Sequence, residues 1–260
     1  MYINQFLHLP SVRFAWYYAK SQLRLKYRYT ALGFLWNFLE PALYLVILSL
    51  VFSVVNRMNI NDYAVFLFSA LVPWRYFEKV VNTIMESIVN GEWLIKKMYV
   101  SPFAFPLNRL IISSFEFLFS MISAFILFIF LKENWSIHLI VLPISIIPWA
   151  LLATGIGLIG AVLYTFFRDV KPFVQLLLTL TFFTSPILFK PDIFKAGTIQ
   201  HQLMQLHPFT YLAALFQKPV YMSAWPTANE WIISFGLGIA ALLFGIYLIN
   251  KYKSRFYYYL

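Results

Sequence analysis

Polar residues recur at helical spacing inside a stretch of the chain that is otherwise apolar. Successive steps of three or four residues place such side chains on one face of an α-helix. A charge at the centre of a membrane costs roughly 2.5–3.5 kcal/mol, so polar groups there need a function or a partner. The row predicts either a water-filled passage or hydrogen bonding between packed helices. Its members are Lys171, Gln175, Thr179, Phe182, Ser185 and Phe189.

Three further apolar stretches carry polar rows of the same kind. The first row consists of Trp36, Asn37, Glu40 and Tyr44. Its members Trp36, Glu40 and Tyr44 join Gln175, Thr179, Phe182, Ser185 and Phe189 as the candidate residues of a channel. The second row consists of Arg75, Glu78, Lys79, Asn82 and Glu86, and the third of Arg109, Ser113, Glu116, Ser120 and Ser123. Any of these rows could serve as internal ion pairs that hold a helical bundle together. For the third row, we favour that interpretation.

The sequence offers no chemistry for catalysis, cofactor binding or metal binding. It has no cysteine, and its four histidines lie far apart, so metal-ligand spacing is absent. A phosphate-binding loop requires Gly-x-x-x-x-Gly-Lys followed by Ser or Thr. The nearest fragment begins at Gly155 and continues from Gly160 into Ala161 within an apolar run. We therefore expect no catalytic, cofactor-binding or metal-binding residue and no nucleotide site in this chain.

The elements that carry these rows are predicted to be transmembrane helices. The 260 residues are 61% hydrophobic and only 12% charged, whereas soluble domains average about 25% charged residues. About 20 apolar residues cross a bilayer core roughly 30 Å thick. We predict an all-α membrane protein with six spans in a transmembrane domain at 34–260, preceded by an amphipathic interface segment at 1–33. The predicted spans are 34–55, 64–85, 107–131, 138–164, 173–189 and 231–250. Small residues predict close helix packing in the fourth span (Ala150, Ala153, Gly157 and Gly160) and in the sixth (Ser234, Gly238, Ala241 and Gly245).

The distribution of basic residues predicts the orientation of the chain. Thirteen of the 20 Lys and Arg residues fall in the termini and the loops on their side, and five fall in the opposite loops. By the positive-inside rule both termini are cytoplasmic, in a multi-pass protein of the inner membrane. The net charge of +10 then faces anionic membrane lipids, and no nucleic acid is required. The connection at 190–229 is apolar and is either a pair of re-entrant helices or an interfacial loop.

Three segments together resemble a known family. They are LRLKYRYTALGFLWNFLEP at Leu23–Pro41, WLIKKMYVSPFAFP at Trp93–Pro106, and FFRDVKPFVQLLLTLTFFTSPILF at Phe166–Phe189. Their order and spacing are similar to those of ABC-2-type polysaccharide exporter permeases, which export O-antigen, capsular polysaccharide or teichoic acid. Among these the chain looks most like an O-antigen exporter permease. It departs from the family at Val100-Ser101-Pro102 and at His207, where Phe-Pro and Asn are expected.

The resemblance implies a half-transporter that forms a homodimer around a central channel. Two copies of a separate ATPase subunit would bind ATP and Mg²⁺ and drive export of a lipid-linked polysaccharide. A coupling helix would dock on that subunit, with Trp93, Leu94 and Met98 as an apolar knob and Lys96 and Lys97 as its basic rim. Arg28, Arg168 and Asp169 would form the cytoplasmic entrance, where Asp169 caps the next helix and Arg168 pairs with an acidic group or a phosphate. The coupling residues are Glu92, Trp93, Leu94, Ile95, Lys96, Lys97 and Met98.

Two alternatives remain open from the sequence. The first is an ABC-2 permease for a lipid or a drug, which would share the coupling helix. The second is a membrane-embedded transferase, which would work without an ATPase partner. Aromatic residues make up 20% of the chain and favour carbohydrate, because their faces make sequence-tolerant contacts with sugar C–H groups. Most of these aromatic side chains are nevertheless expected to face lipid.

Overall fold

The computed structural model describes residues 9–27, 35–97, 101–131, 136–190 and 197–259, and these ranges are mainly helical and contain no β-strand. This confirms the predicted all-α class. The first helices are α1 (Leu9–Tyr27), α2 (Trp36–Val55), α3 (Ile60–Met85), α4 (Ser87–Asn90), α5 (Glu92–Lys97) and α6 (Ala104–Leu131). After a 3₁₀ turn at Ile137–Val141 come α7 (Leu142–Phe166), α8 (Val170–Thr184), α9 (Ile199–Leu206) and α10 (Pro208–Gln217). A π-helical turn at Lys218–Met222 leads to α11 (Ala228–Tyr252) and α12 (Phe256–Tyr259).

Several of these helices are long and apolar enough to cross a bilayer, so the chain is a multi-pass membrane protein. The qualifying stretches are Phe38–Val55, Ala104–Ser123, Ile137–Phe166 and Ala228–Tyr252. Helix α3 has 26 residues, but Arg75, Glu78 and Lys79 interrupt its apolar sequence. Helix α8 is apolar but has only 15 residues. The helices of the predicted second and fifth spans are therefore the two whose crossing is not evident from length and composition.

Small residues allow α7 to pack closely between α3 and α11, as predicted for the fourth and sixth spans. A Cβ atom added at Gly157 would lie 2.8 Å from Cβ of Ile84 on α3. One added at Gly238 on α11 would lie 2.9 Å from Cβ of Leu151 on α7. Without a hydrophobic driving force between helices in lipid, such close backbone approach supplies the packing energy. Larger side chains at these two positions would push the helices apart.

Helix α8 ends earlier than the predicted fifth span. The helix stops at Thr184, and Ser185 has the extended conformation φ −86°, ψ 158°. Ser185 precedes Pro186, and the proline ring disfavours helical geometry at the residue before it. The sequence interpretation was therefore wrong in extending the helical face to Ser185 and Phe189. Only Lys171, Gln175, Thr179 and Phe182 of that row lie on the helix.

The chain after α8 is irregular but buried, and other elements satisfy its backbone. The amide of Gln217 donates to the carbonyl oxygen of Pro186 at 2.7 Å. Tyr63 Oη donates to the carbonyl oxygen of Leu188 at 2.9 Å, and Asn56 Nδ2 donates to the same oxygen at 3.2 Å. Non-helical backbone is tolerated at membrane depth only where protein surrounds it and supplies partners. These three side chains meet that requirement.

Helix α10 lies in the aromatic core of the bundle. The ring of Phe209 lies 5.2 Å from that of Trp74, 4.9 Å from that of Phe77 and 5.7 Å from that of Trp149. The indole of Trp149 also donates to the carbonyl oxygen of Leu212 at 3.1 Å. A solvated interfacial loop would not contribute buried side chains to this core. The second half of the 190–229 connection is thus an internal element of the fold.

Helix α1 packs along the first half of α6. Asn108 Nδ2 donates to the carbonyl oxygen of Ala15 at 3.1 Å, and the guanidinium of Arg109 donates to Gln22 Oε1 at 3.1 Å. Near the end of α1, Lys26 forms an ion pair with Glu116. Within the predicted interface segment, residues 9–27 thus form a helix that polar contacts fix to α6.

Candidate functional site

The polar rows of α2, α3 and α6 meet at a single cavity of about 350 Å³. From α2 it is lined by Glu40 and Tyr44, two of the predicted channel residues. The second and third polar rows supply most of the remaining polar groups. From the sequence, these rows were candidates for internal ion pairs. Its polar and aromatic lining residues are Glu40, Tyr44, Phe68, Arg75, Tyr76, Glu78, Lys79, Asn82, Thr83, Ser113, Glu116, Phe117 and Ser120.

Glu116 is the most buried charge at this cavity. Its side chain is 5% exposed, whereas those of Lys79 and Lys26 are 44% and 50% exposed. Lys79 Nζ lies 2.7 Å from Glu116 Oε2, and Lys26 pairs with the other carboxylate oxygen. A buried carboxylate is stable only when it is paired and hydrogen-bonded. The internal ion pair favoured for the third row is therefore confirmed, and it joins α1, α3 and α6.

Arg75 is held at the cavity by a ring and a carboxylate. Its guanidinium lies 3.9 Å from the centroid of the Tyr44 ring and donates to Glu78 Oε2 at 3.2 Å. Arginine stacks well on aromatic faces, so this contact orders a long side chain across the gap between α2 and α3. Glu40 is exposed on the same side of α2. Positive and negative groups thus alternate around the cavity.

This arrangement suits weak, repeated contact with a polar polymer. Hydroxyl and amide groups can exchange hydrogen bonds with sugar hydroxyls, and the rings of Tyr44 and Phe117 offer apolar faces. The charges largely neutralise each other, so no strong electrostatic trap for one ion is built. Conduction requires binding that is weak and distributed over several positions. Within the described ranges no three His, Asp or Glu side chains converge as metal ligands.

The predicted channel residues of α8 do not reach this cavity. Gln175 and Thr179 are exposed on α8, and Thr179 Oγ1 donates to the carbonyl oxygen of Gln175 at 2.9 Å. Phe182 packs on Trp74 with 5.7 Å between ring centroids. Leu176, Leu177 and Leu180 are exposed as well. Both sides of α8 are therefore uncovered in the single chain.

The remaining predicted channel residues have different surroundings. Ser185 is buried and donates to the carbonyl oxygen of Phe182 at 3.0 Å. Phe189 packs against Phe52 with 5.9 Å between ring centroids, and Trp36 is exposed at the start of α2. Ser185 is therefore a structural residue of the chain reversal in this monomer.

The predicted coupling residues form the short helix α5, but its apolar side chains point both ways. Trp93 is 57% exposed, whereas Leu94 is 7% and Ile95 is 3% exposed. The expectation of an exposed Trp93–Leu94 knob was therefore wrong for Leu94, which packs into the core. Gly91 explains the close docking, because a Cβ there would lie 2.5 Å from the ring of Phe105.

The exposed side of α5 carries Trp93 with charged residues around it. Lys97 Nζ lies 5.5 Å from the centroid of the Trp93 ring, and Lys96 pairs with Glu92 at 2.6 Å. The surface that remains for a partner is an indole with a basic rim. Met98 lies outside the described residues, so its part in the predicted coupling segment stays a prediction.

Two residues of the predicted cytoplasmic entrance, Arg168 and Asp169, have contacts other than those expected. Asp169 precedes α8 with a helical φ of −68° and ψ of −12°, and its side chain makes no capping hydrogen bond. The expected cap is therefore wrong, because a capping residue normally has extended geometry. Arg168 is exposed over the ring of Tyr164 at 5.1 Å. Arg28 lies outside the described residues.

Lys171, rather than Arg168, makes the ion pair at the start of α8. Its ammonium lies 2.8 Å from Glu86 Oε1 at the end of α3. Glu86 and Lys171 are both members of rows that the sequence singled out, but their pairing was not predicted. The sequence placed these two opposite charges on the same predicted side of the membrane. The positive-inside rule counts Lys and Arg and gives little weight to acidic residues, so it gave no reason to pair them.

His207 stands at the start of α10, where the sequence left its role open. Burial lowers the pKa of its imidazole below the ordinary value. Its Nε2 lies 3.4 Å from Thr184 Oγ1, and its buried Nδ1 has no hydrogen-bond partner among the described residues. His207 thus connects the end of α8 with the beginning of α10.

Comparisons with known proteins cover nearly the whole chain. It is 28% identical over 245 residues to "O-antigen export system permease protein RfbA" of Klebsiella pneumoniae, which covers 91% of this chain and 90% of the relative. A protein of the same name from Myxococcus xanthus is 27% identical over 91% of each chain. "Polysialic acid transport protein KpsM" of Escherichia coli is 26% identical over 65% of this chain and 66% of the relative. No family model matches. The resemblance to ABC-2-type polysaccharide exporter permeases is thus confirmed by relatives that are themselves named as polysaccharide export and transport proteins.

Proposed function

We propose that this chain is the membrane-spanning permease subunit of an ABC exporter that moves a polysaccharide across the cytoplasmic membrane. The observation that carries the proposal is the similarity to O-antigen export permeases over 91% of the chain. The polar cavity between α2, α3 and α6 adds a physical reason, since a purely structural bundle has no need of so many hydrophilic side chains at one place. The chain acts in transport and is not an enzyme.

The energy for export comes, in this proposal, from a separate ATPase subunit. The sequence has no phosphate-binding loop, and transport against a gradient requires a source of free energy. Two ATPase copies would bind ATP and Mg²⁺ and dock on the α5 surface around Trp93. The lipid-linked character of the polymer and the pairing of two permease chains belong to the same proposal. In such a dimer, the face of α8 that carries Gln175 and Thr179 would line a shared central channel.

The six-span topology is supported by where α3 and α8 lie. Both pack against α7, which is itself long and apolar enough to span the membrane. The charges of α3 are accommodated because they face the cavity and pair there, as at Lys79 and Glu116. Six crossings with both termini in the cytoplasm also satisfy the positive-inside rule. The buried α10 then belongs to a re-entrant element on the outer side.

Removal of the gene from its host tests the proposed function. If the chain is a polysaccharide exporter, cells without the gene should still make polymer of normal composition, but the polymer should accumulate inside the cell. Labelling of intact and permeabilised cells with a polymer-specific antibody measures the two pools, and re-expression of the chain should restore the surface pool. Normal surface polymer after removal would favour the lipid or drug permease. Loss or altered composition of the polymer itself would favour the transferase.

A further inference from the structure

A basic pocket and an apolar groove adjoin on the surface formed by α1 and α6. The pocket, of about 500 Å³, is lined by Tyr17, Lys20, Ser21, Arg24 and Leu25. The groove, of about 450 Å³, is lined by Trp16, Ala19, Lys20, Leu23, Arg24, Ile111, Phe115 and Phe119. Lys20 and Arg24 line both spaces. A polar space and an apolar one therefore adjoin at these two side chains.

The groove has the shape of a site for a hydrocarbon chain. Ile111, Phe115 and Phe119 follow each other at steps of four on α6 and form one stripe. At 1.5 Å per residue this stripe extends over about 12 Å. The ring of Trp16 packs against that of Phe115 at 5.8 Å between centroids and forms the opposite wall from α1.

The two basic residues of the pocket have no carboxylate partner among the residues that the structure describes. Both are exposed, and the ion pairs found in the described ranges involve other lysines and arginines. Lys26 on the same helix differs, because it pairs with Glu116. Lys20 and Arg24 are thus two available cations that lie beside an apolar space.

We propose that this surface binds one anionic phospholipid. Its phosphate would lie between Lys20 and Arg24, with the hydroxyls of Tyr17 and Ser21 as further donors, and an acyl chain would occupy the Ile111–Phe115–Phe119 groove. In the proposed orientation α1 lies on the cytoplasmic side, where the leaflet supplies such a lipid, and the negative charge of the lipid complements the pocket. A second copy of this chain would bring the same basic pocket rather than the opposite charge. The site goes beyond the proposed export function and does not depend on which polymer is moved.

Titration of the purified full-length chain in detergent tests the site. Native mass spectrometry with added phosphatidylglycerol or phosphatidylcholine measures the affinity for each lipid. A basic side chain at an anionic membrane surface contributes roughly fivefold, so with Lys20 and Arg24 together phosphatidylglycerol should bind about twenty-five times more tightly than phosphatidylcholine. The double variant Lys20→Gln/Arg24→Gln should lose this preference. The control Arg13→Gln/Lys251→Gln removes the same charge from other exposed positions and should retain it.

Further measurements separate this site from its alternatives. Ile111→Trp should fill the groove and lower the affinity for both lipids while the helical content by circular dichroism is unchanged. Phosphatidylglycerol should stay bound in millimolar inorganic phosphate, and its displacement would point to a site for free phosphate. Equal affinities for the two lipids, or a preference that survives Lys20→Gln/Arg24→Gln, would overturn the proposal. Disulfide formation between chains carrying Phe119→Cys in a membrane would instead assign the groove to a second copy and overturn it as well.

Discussion

At the scale of single residues, the charges within the membrane domain are arranged as specific pairs. Glu116 is nearly enclosed and accepts from two lysines of different helices, whereas Glu78 pairs with Arg75 on its own helix. Breaking a buried ion pair leaves an uncompensated charge, whereas breaking an exposed one costs little. The contribution of each pair to stability should therefore follow its burial.

Replacement of Glu116 by glutamine tests this ranking. Because the lysine partners are about half exposed, we expect a loss of about 1–3 kcal/mol in the free energy of unfolding. Glu78→Gln, the matched control, should cost less than about 1 kcal/mol. Chemical unfolding of the detergent-solubilised chain measures both. Equal losses would show that Glu116 does not organise the contact between α1, α3 and α6.

The pair formed by Lys171 and Glu86 gives a second test at residue scale. Lys171→Glu should place two carboxylates together and reduce export of polymer, measured as antibody labelling of intact cells. Adding Glu86→Lys to the same chain recreates the pair with reversed order and should restore much of the export. Arg168→Glu, which reverses a neighbouring charge without a carboxylate partner in the described residues, serves as the control and should not be rescued by Glu86→Lys. Failure of the double variant to exceed Lys171→Glu would exclude a functional pair.

At the scale of elements, the reversal after α8 depends on side chains from distant helices. Pro186 ends the helix, and the buried carbonyl groups of Pro186 and Leu188 are satisfied by Gln217, Tyr63 and Asn56. Each donor belongs to a different stretch of the chain. The reversal is therefore stable only when α3, α8 and α10 are assembled together.

Gln217→Leu should expose this dependence. The carbonyl oxygen of Pro186 would remain buried without its donor, which costs about 1–3 kcal/mol. Gln202→Leu, on the exposed side of α9, makes the same chemical change and should alter the free energy of unfolding by less than about 0.5 kcal/mol. If both variants unfold alike, the Gln217–Pro186 hydrogen bond does not hold the reversal.

Helix α5 combines an inward and an outward side, and this division makes a separate prediction. Trp93→Ala should leave the thermal unfolding of the permease unchanged, since the indole is largely exposed. It should nevertheless reduce the amount of ATPase subunit that co-purifies in mild detergent, because exposed aromatic residues are typical anchors of interfaces. Thr198→Ala, a substitution far from α5 in the sequence, is the control for loss of the ATPase subunit during purification. Full recovery of the ATPase with Trp93→Ala would place the contact elsewhere.

At the scale of the whole molecule, two regions are candidates for contact with the proposed polymer. The cavity between α2, α3 and α6 is lined by residues of one chain, whereas Gln175 and Thr179 on α8 are uncovered. Because Leu176, Leu177 and Leu180 are uncovered too, a single chain gives no reason for one side of α8 to face water. The proposed dimer supplies that reason.

Cysteine scanning of α8 tests the dimeric channel, and the native chain has no cysteine to remove. Cysteines at Gln175 and Thr179 should react with a membrane-impermeant thiol reagent in the assembled, open transporter. Cysteines at Leu176, Leu177 and Leu180 should stay unreactive because lipid or protein covers them. A cysteine at Ser185 should also be unreactive, since that side chain is buried. Reactivity on the leucine side would show that the polymer passes along another helix.

The sequence by itself determined which stretches are apolar, which residues form polar rows and where close helix packing occurs. These properties follow from the local order of residues, because helical periodicity and the cost of polar groups in lipid act over a few turns. The packing of Gly157 and Gly238 and the internal pairing of Glu116 were predictable for that reason. The family resemblance indicated the function more specifically than the chemistry of any single polar row.

Only the tertiary structure decided which rows face each other. A row specifies a direction around its own helix axis, but the partner in that direction depends on how the helices are rotated and ordered in the bundle. This is why Glu40 and Tyr44 lie with Arg75 and Glu116, while Gln175 and Thr179 do not. The burial of Leu94 has the same origin, because Gly91 allows α5 to approach Phe105. Contacts between residues far apart in sequence set these outcomes, and no local pattern contains them.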